Sequence, residues 1–291
     1  MASPQRLKIG LIQMACMEER RANLEAAAHR IEQAAGAGAQ VICLPELFAS
    51  RYFCQTEDPR HFELAEPIPG PITRELGAIA AAHRVTVVAS IFERRAAGVY
   101  HNTAVILDAS GEVVARYRKM HIPDDPHYYE KFYFTPGDLG FGAYTGAQAK
   151  LGVLVCWDQW FPEAARLTAL SGAEIIFYPT AIGWELSEVP KVREQQLAAW
   201  ETVQRGHAIA NGVFVAAVNR VGIEEGLEFW GNSFLCDPFG EVLARARVTA
   251  EETLVMDIDL RRIEEVRRNW PFLRDRRIDA YGDLTRRLRS E

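Results

Sequence analysis

The chain repeats itself at long range. Lys8-Ile9-Gly10 returns as Lys150-Leu151-Gly152, and Gly38-Ala39-Gln40-Val41-Ile42-Cys43-Leu44-Pro45 returns as Gly172-Ala173-Glu174-Ile175-Ile176-Phe177-Tyr178-Pro179, roughly 140 residues later. Each copy reads as an apolar strand, a helix, a glycine turn and a second short apolar strand stopped by proline. Two such halves would each build a sheet and bury one sheet against the other, with helices outside. The expected fold is therefore an α/β four-layer α-β-β-α sandwich rather than one open doubly wound sheet. Chance likeness between two buried strand-helix units is the plainer alternative.

The remaining pattern fits this scheme. Strands are expected over residues 7–14, 40–44, 85–91, 103–107 and 112–118, with helices over 20–35 and up to His83. The stretch from His121 to Gly142 is rich in Pro, Asp, Gly and aromatics without a period, so it reads as a long loop of the functional kind. A strand over 150–156 feeds a helix starting at Pro162. A long helix over 192–211 follows, with strands over 174–178, 213–218, 233–236, 242–246 and 254–258. With 291 residues and 48% apolar content, residues 1–260 can share one core as a single domain. Residues 261–291 form a short helix and an arginine-rich tail too polar for a core, suited to packing on a neighbouring subunit.

Composition narrows the partners. The net charge of −6 leaves no basic stripe for phosphates, so nucleic acid is not an expected partner. No apolar run spans a bilayer and Met1 to Arg6 lacks a signal-peptide core, which makes a membrane role unexpected and a cytoplasmic location expected. Five cysteines without paired spacing suggest neither a disulfide framework nor a zinc site. Cys16, Cys43, Cys54 and Cys236 read as small buried hydrophobes. No metal-ligand spacing, phosphate loop, G-x-S-x-G elbow or dinucleotide fingerprint is present, and no cofactor is expected.

Glu46, Lys119 and Cys156 each fall at the end of an apolar strand, where α/β sheets open onto ligand crevices. Taken singly, each has a bland reading: a capping acid, a solvated strand end, an inert core thiol. Together they make a nucleophile set. A thiol is mostly protonated at neutral pH and needs a base, which Glu46 supplies. Lys119 and the backbone N–H of Trp157 would hold an oxyanion. The nearby N-terminus of the Pro162 helix would favour thiolate.

Leu44-Pro45-Glu46-Leu47-Phe48, Tyr117-Arg118-Lys119-Met120-His121 and Val155-Cys156-Trp157-Asp158-Gln159-Trp160-Phe161-Pro162-Glu163 resemble, in order, the three catalytic blocks of the nitrilase, or carbon-nitrogen hydrolase, superfamily. The resemblance runs from Lys8 to about Asp259. It implies the same sandwich fold, a homo-oligomer, Glu46 as general base, Lys119 as oxyanion lysine and Cys156 as nucleophile. It adds Glu130 as a second glutamate beside the lysine and thiol. Within the superfamily, Met120-His121-Ile122-Pro123-Asp124-Asp125-Pro126 and Tyr178-Pro179-Thr180-Ala181-Ile182-Gly183 look like the branch that cleaves small carbamoyl amines. Relatives acting on carbamoyl amino acids place arginines after the Cys-x-Asp segment, where Gln159 and Trp160 stand here. A substrate ending in an ammonium wants acids and aromatic faces. Glu185 first, then Asp124, Asp125 and Trp160, are the expected contacts for that end.

Overall fold

The computed structural model describes residues 6–146 and 149–289. Two six-stranded sheets carry the fold, and they share one topology. In the first, the parallel strands Arg6–Gln13, Val41–Cys43 and Thr86–Ala96 are followed by antiparallel Val99–Leu107 and Val113–Arg118, and Glu252–Asp259 pairs antiparallel with Arg6–Gln13 on the other edge. In the second, parallel Lys150–Val153, Ile175–Thr180 and Phe214–Asn219 are followed by antiparallel Phe234–Cys236 and Val242–Arg245, with Ala143–Thr145 on the opposite edge.

The repeat seen in the sequence is structural down to single side chains. Gly38 and Gly172 both take a left-handed backbone, at φ 92° and 96°, where a side chain is strained. At each, an added Cβ would sit 3.3 Å from the matching lysine, Lys8 or Lys150. Gly10 and Gly152 lie mid-strand because a helix packs tightly over them. A Cβ on Gly10 would crowd Ala34 and Ala39, and one on Gly152 would collide with Thr168 and crowd Ala173.

Strand alternation sorts the core into layers. Leu7, Ile9, Leu11, Val41, Cys43, Val88, Ala104 and Ile106 share one cluster with Val153, Ile175, Phe177, Phe214, Ala216, Val218 and Phe234 of the other sheet. Their neighbours Ile12, Ile42, Leu44, Val87, Ala89, Val105 and Leu107 face outward onto Leu24, Ala27, Ile31, Leu76 and Ala80 of helices Arg20–Gly36 and Pro71–His83. The layers are α-β-β-α, as expected. Each fully buried Leu, Ile or Val contributes about 1.5–3 kcal/mol to holding them together.

Three features differ from the sequence reading. A small antiparallel sheet of Val221–Glu224, Leu227–Trp230 and Gly183–Glu185 was not expected, because its strands of three and four residues are too short to show a period. The long loop contains a single helical turn, Glu130–Tyr133. The strand expected to reach Cys156 stops at Val153, and Cys156–Trp160 form a 3-10 turn. Helix Arg261–Asn269 is followed by a tail carrying short 3-10 turns and exposed Trp270, Ile278 and Leu284. Among the described residues, no helix is long and apolar enough to cross a membrane.

Candidate active site

Glu46, Lys119, Glu130 and Cys156 are all buried and share one charge cluster. Lys119 Nζ donates to Glu46 Oε1 at 2.8 Å and to both oxygens of Glu130 at 2.9 and 2.7 Å. Burial works against a charge on Lys119, but Glu130, Glu46 and Cys156 outweigh it and hold the ammonium well above its ordinary range. Glu130 goes the other way. Burial, with repulsion from Glu46, lifts its carboxyl to about 7 against the pull of Lys119 and Tyr52.

Each carboxylate is further oriented. Asn102 Nδ2 donates to Glu46 Oε1 at 2.7 Å, and Ser90 Oγ holds Asn102 Oδ1 at 2.8 Å. Tyr52 OH donates to Glu130 Oε1 at 2.7 Å. That leaves Glu46 Oε2 buried with no hydrogen-bond partner, an acceptor free to take a proton.

Cys156 sits on a strained corner, at φ 44°, a conformation that costs a non-glycine residue about 1–3 kcal/mol. The surroundings hold it there. The Asp158 carboxylate, fully buried, accepts from Val155 N at 2.9 Å, Tyr117 OH at 2.7 Å, and His121 N and Nδ1 at 3.1 and 2.7 Å. The pull toward thiolate expected from the Pro162 helix N-terminus meets two opposing effects. Burial, then repulsion from Glu46, pushes the thiol well above its ordinary range despite Lys119. A thiol pushed in that direction is not activated by burial alone, so its reactivity depends on an adjacent base.

Cys156 opens onto a cavity of about 360 Å³. Its wall is aromatic through Tyr128, Trp157, Trp160 and Trp230, and acidic through Asp125, Glu185 and Glu188. Among the described residues, no lysine or arginine lines it. The long loop supplies Asp125, Tyr128 and Glu130, and the small sheet supplies Glu185 and Trp230.

A carbon-nitrogen hydrolase family profile matches residues 8–268. The chain belongs to that family. This carbon-nitrogen hydrolase is 40% identical to an N-carbamoylputrescine amidase of Oryza sativa subsp. japonica, over 96% of this chain and 94% of that protein. It is 38% identical to a citrullinase of Francisella tularensis, over 97% and 99%. A crystal structure of a carbon-nitrogen hydrolase from Helicobacter pylori superposes with a TM-score of 0.94 at 48% identity, covering 97% of this chain and 99% of that one.

Most residues singled out from the sequence of this carbon-nitrogen hydrolase meet at the cavity, including Trp157, Trp160, Asp125 and Glu185. Asp124 does not. It is exposed and outside the lining, in the irregular stretch just before the Asp125–Tyr128 bridge. Gln159 also faces away, its amide oxygen accepting from Trp200 Nε1 at 2.9 Å. Sequence reasoning missed Tyr52, Asn102, Glu188 and Asp158. Only Asp158 carried a local signal, as the acid two residues after the thiol. The others come from elements distant in the chain.

Proposed function

We propose that this enzyme hydrolyses a terminal carbamoyl amine, N-carbamoylputrescine, to putrescine, carbon dioxide and ammonia. The observation that carries the reading is the cavity at Cys156, which bears four carboxylates (Glu130 beside the thiol, Asp125, Glu185 and Glu188 beyond it), four aromatic rings and, among the described residues, no lining cation. A substrate carboxylate finds no guanidinium or ammonium there. A substrate ammonium finds charge partners and π-faces. The rice relative bears that activity's name, which supports the reading. The pathway proposed is putrescine formation from agmatine.

In this reading Glu46 Oε2 takes the thiol proton as Sγ bonds to the carbamoyl carbon, and Lys119 with the Trp157 N–H holds the oxyanion. The C–N bond to the amine breaks as Glu46 returns the proton to that nitrogen, leaving a carbamoyl thioester on Cys156. A water deprotonated by Glu46 releases carbamate, which decomposes to carbon dioxide and ammonia. Glu130 orients Lys119. The acid end of the cavity, Glu185 foremost with Asp125 and Glu188, holds the ammonium between Trp157 and Trp160. The tail beyond Arg261, with Trp270 and Phe272, is proposed to pack across an interface between copies of the chain.

The test is ammonia release from N-carbamoylputrescine beside citrulline, N-carbamoyl-β-alanine, an N-carbamoyl-D-amino acid and glutamine, with Cys156→Ala as control. Release from the putrescine compound alone, abolished in the variant, is the expected result. Preference for citrulline would move the substrate toward the Francisella relative's, and preference for a carbamoyl acid lacking an amine would overturn the account of the acidic pocket.

A further inference from the structure

Arg220 and Glu224 form a fully enclosed ion pair at the start of the small three-stranded sheet, outside the four residues that meet at the thiol. The pair grips the loop carrying the base. Arg220 Nη2 donates to the carbonyls of Glu46 at 2.6 Å and Leu47 at 3.0 Å, and Nη1 donates to the carbonyl of Ser50 at 3.2 Å. Nη1 also meets the Glu224 carboxylate at 3.0 and 3.3 Å. Glu224 Oε2 then accepts from Tyr52 N at 2.6 Å, and its carbonyl accepts from Gln55 Nε2 at 2.8 Å.

The chain needs such a grip at this point. Leu47 has a left-handed backbone at φ 48°, so the corner immediately after Glu46 is strained and its carbonyls turn away from the sheet ladder. Only a forked, planar cation reaches two successive carbonyls, a third carbonyl and a carboxylate together. The guanidinium also stacks over the rings of Tyr52 and Phe229 at 5.9 and 5.3 Å. Tyr52, held at its backbone by Glu224, donates its hydroxyl to Glu130. One ion pair thus fixes both carboxylates that flank Lys119. A buried pair contributes little net stability over an apolar replacement of similar size, so its effect is expected in geometry more than in folding.

Resting on the catalytic roles proposed above, we propose that Arg220, braced by Glu224, is a positioning residue that sets the Glu46 and Tyr52 backbone so that the two carboxylates converge on Lys119 and the thiol. Because the same small sheet carries Glu185, it also ties the substrate's distant end to the base.

The experiment compares wild type with Arg220→Lys, which keeps the charge but loses the fork, and with the pair Arg220→Met and Glu224→Gln, which removes both charges together and leaves neither buried alone. Each is first checked for wild-type circular dichroism. For N-carbamoylputrescine, kcat per folded molecule should fall about 100-fold in both, as displacement of a base by an ångström does, with KM within about 3-fold because neither residue lines the cavity. Alkylation of Cys156 by iodoacetamide at neutral pH, which needs the base but no substrate, should slow in parallel. A kcat within about 3-fold of wild type in folded variants, or kcat and KM changing together, would overturn the proposal. If wild type is silent on N-carbamoylputrescine, the substrate reading has failed, and the alkylation rates still decide the role of Arg220.

Discussion

Lys119 donates to Glu46 at 2.8 Å with neither side chain reaching solvent. The contact is an ion pair in a low-dielectric site that also contains Glu130. Replacing Lys119 by methionine leaves two buried carboxylates facing each other. We expect Lys119→Met to lose about 3–5 kcal/mol of stability, as removal of one partner of a buried pair does, and to lower kcat about 10²–10³-fold as the proposed oxyanion donor disappears. Urea unfolding and ammonia release measure the two effects separately. Lost turnover at undiminished stability would mean that Lys119 does not neutralise the carboxylates.

Glu130 predicts a pH dependence of stability. Its carboxyl releases a proton at 4.5 when unfolded but near 7 in the folded protein, where burial and Glu46 oppose its charge. Between those values the folded state binds more protons, so raising the pH favours unfolding. This contribution is complete below 4.5 and is lost as the pH rises through about 7. In Glu130→Gln that component is absent. Urea midpoints of the two proteins should diverge across this window, the wild type losing stability relative to the variant, and parallel curves would count against a raised Glu130.

The buried thiol makes its own prediction. Since burial and Glu46 push Cys156 well above the ordinary thiol range, its alkylation by iodoacetamide should keep accelerating to high pH in the wild type. Glu46→Gln should slow it at neutral pH, because losing the acceptor for the thiol proton outweighs losing the repulsion on the thiolate. Cys16, Cys43, Cys54 and Cys236 are buried, and Cys156→Ala supplies the background. A rate that levels off in the acid range would restore the helix-stabilised thiolate.

What the sequence revealed followed from local and periodic signals. The duplicated strand-turn units around Gly10 and Gly152 gave the two sheets, and the strand ends gave Glu46, Lys119 and Cys156. The corner at Cys156 was misread as strand because its left-handed backbone is imposed by Asp158, Tyr117 and His121, which leave no mark on the local pattern. Asn102 and Tyr52 lie 56 residues after Glu46 and 78 before Glu130, respectively, and only the folded sheets bring them there. Asp124 and Asp125 looked equivalent as neighbouring acids, yet only Asp125, which opens the Asp125–Tyr128 bridge, lines the cavity.

The acidic end of the cavity separates binding from chemistry. Glu185 lines it, with Glu188 Oε2 accepting from the Glu185 backbone N–H at 3.1 Å, and Gln196 donating to the other Glu188 oxygen. Among the described residues the Glu185 side chain is hydrogen-bonded only to Ser187, at 3.5 Å, so it is freer than Glu188 to meet an ammonium. Glu185→Gln should raise KM for N-carbamoylputrescine about 10- to 100-fold, the worth of a charged hydrogen bond, with little change in kcat. N-carbamoylbutylamine, which lacks the ammonium, should show no such rise. Equal effects on both compounds would give Glu185 a structural role.

The tail is the remaining surface that the single chain leaves unresolved in energetic terms. Trp270, Phe272, Ile278, Leu284 and Leu288 are 53%, 41%, 75%, 63% and 74% exposed, a concentration of large apolar side chains that a solitary chain gains nothing by presenting to water. Helix Arg261–Asn269 is itself anchored, through buried Ile263 and Val266 and through Arg267 donating to the Asn211 carbonyl, so the apolar stretch beyond it starts from a fixed point on the fold. A second copy of the chain is the proposed cover. Light scattering of the intact protein at micromolar concentration should give a multiple of 32.7 kDa, and a chain ending at Trp270 should shift toward the monomer while keeping its Cys156 alkylation rate. A monomeric intact protein would remove the interface from the tail.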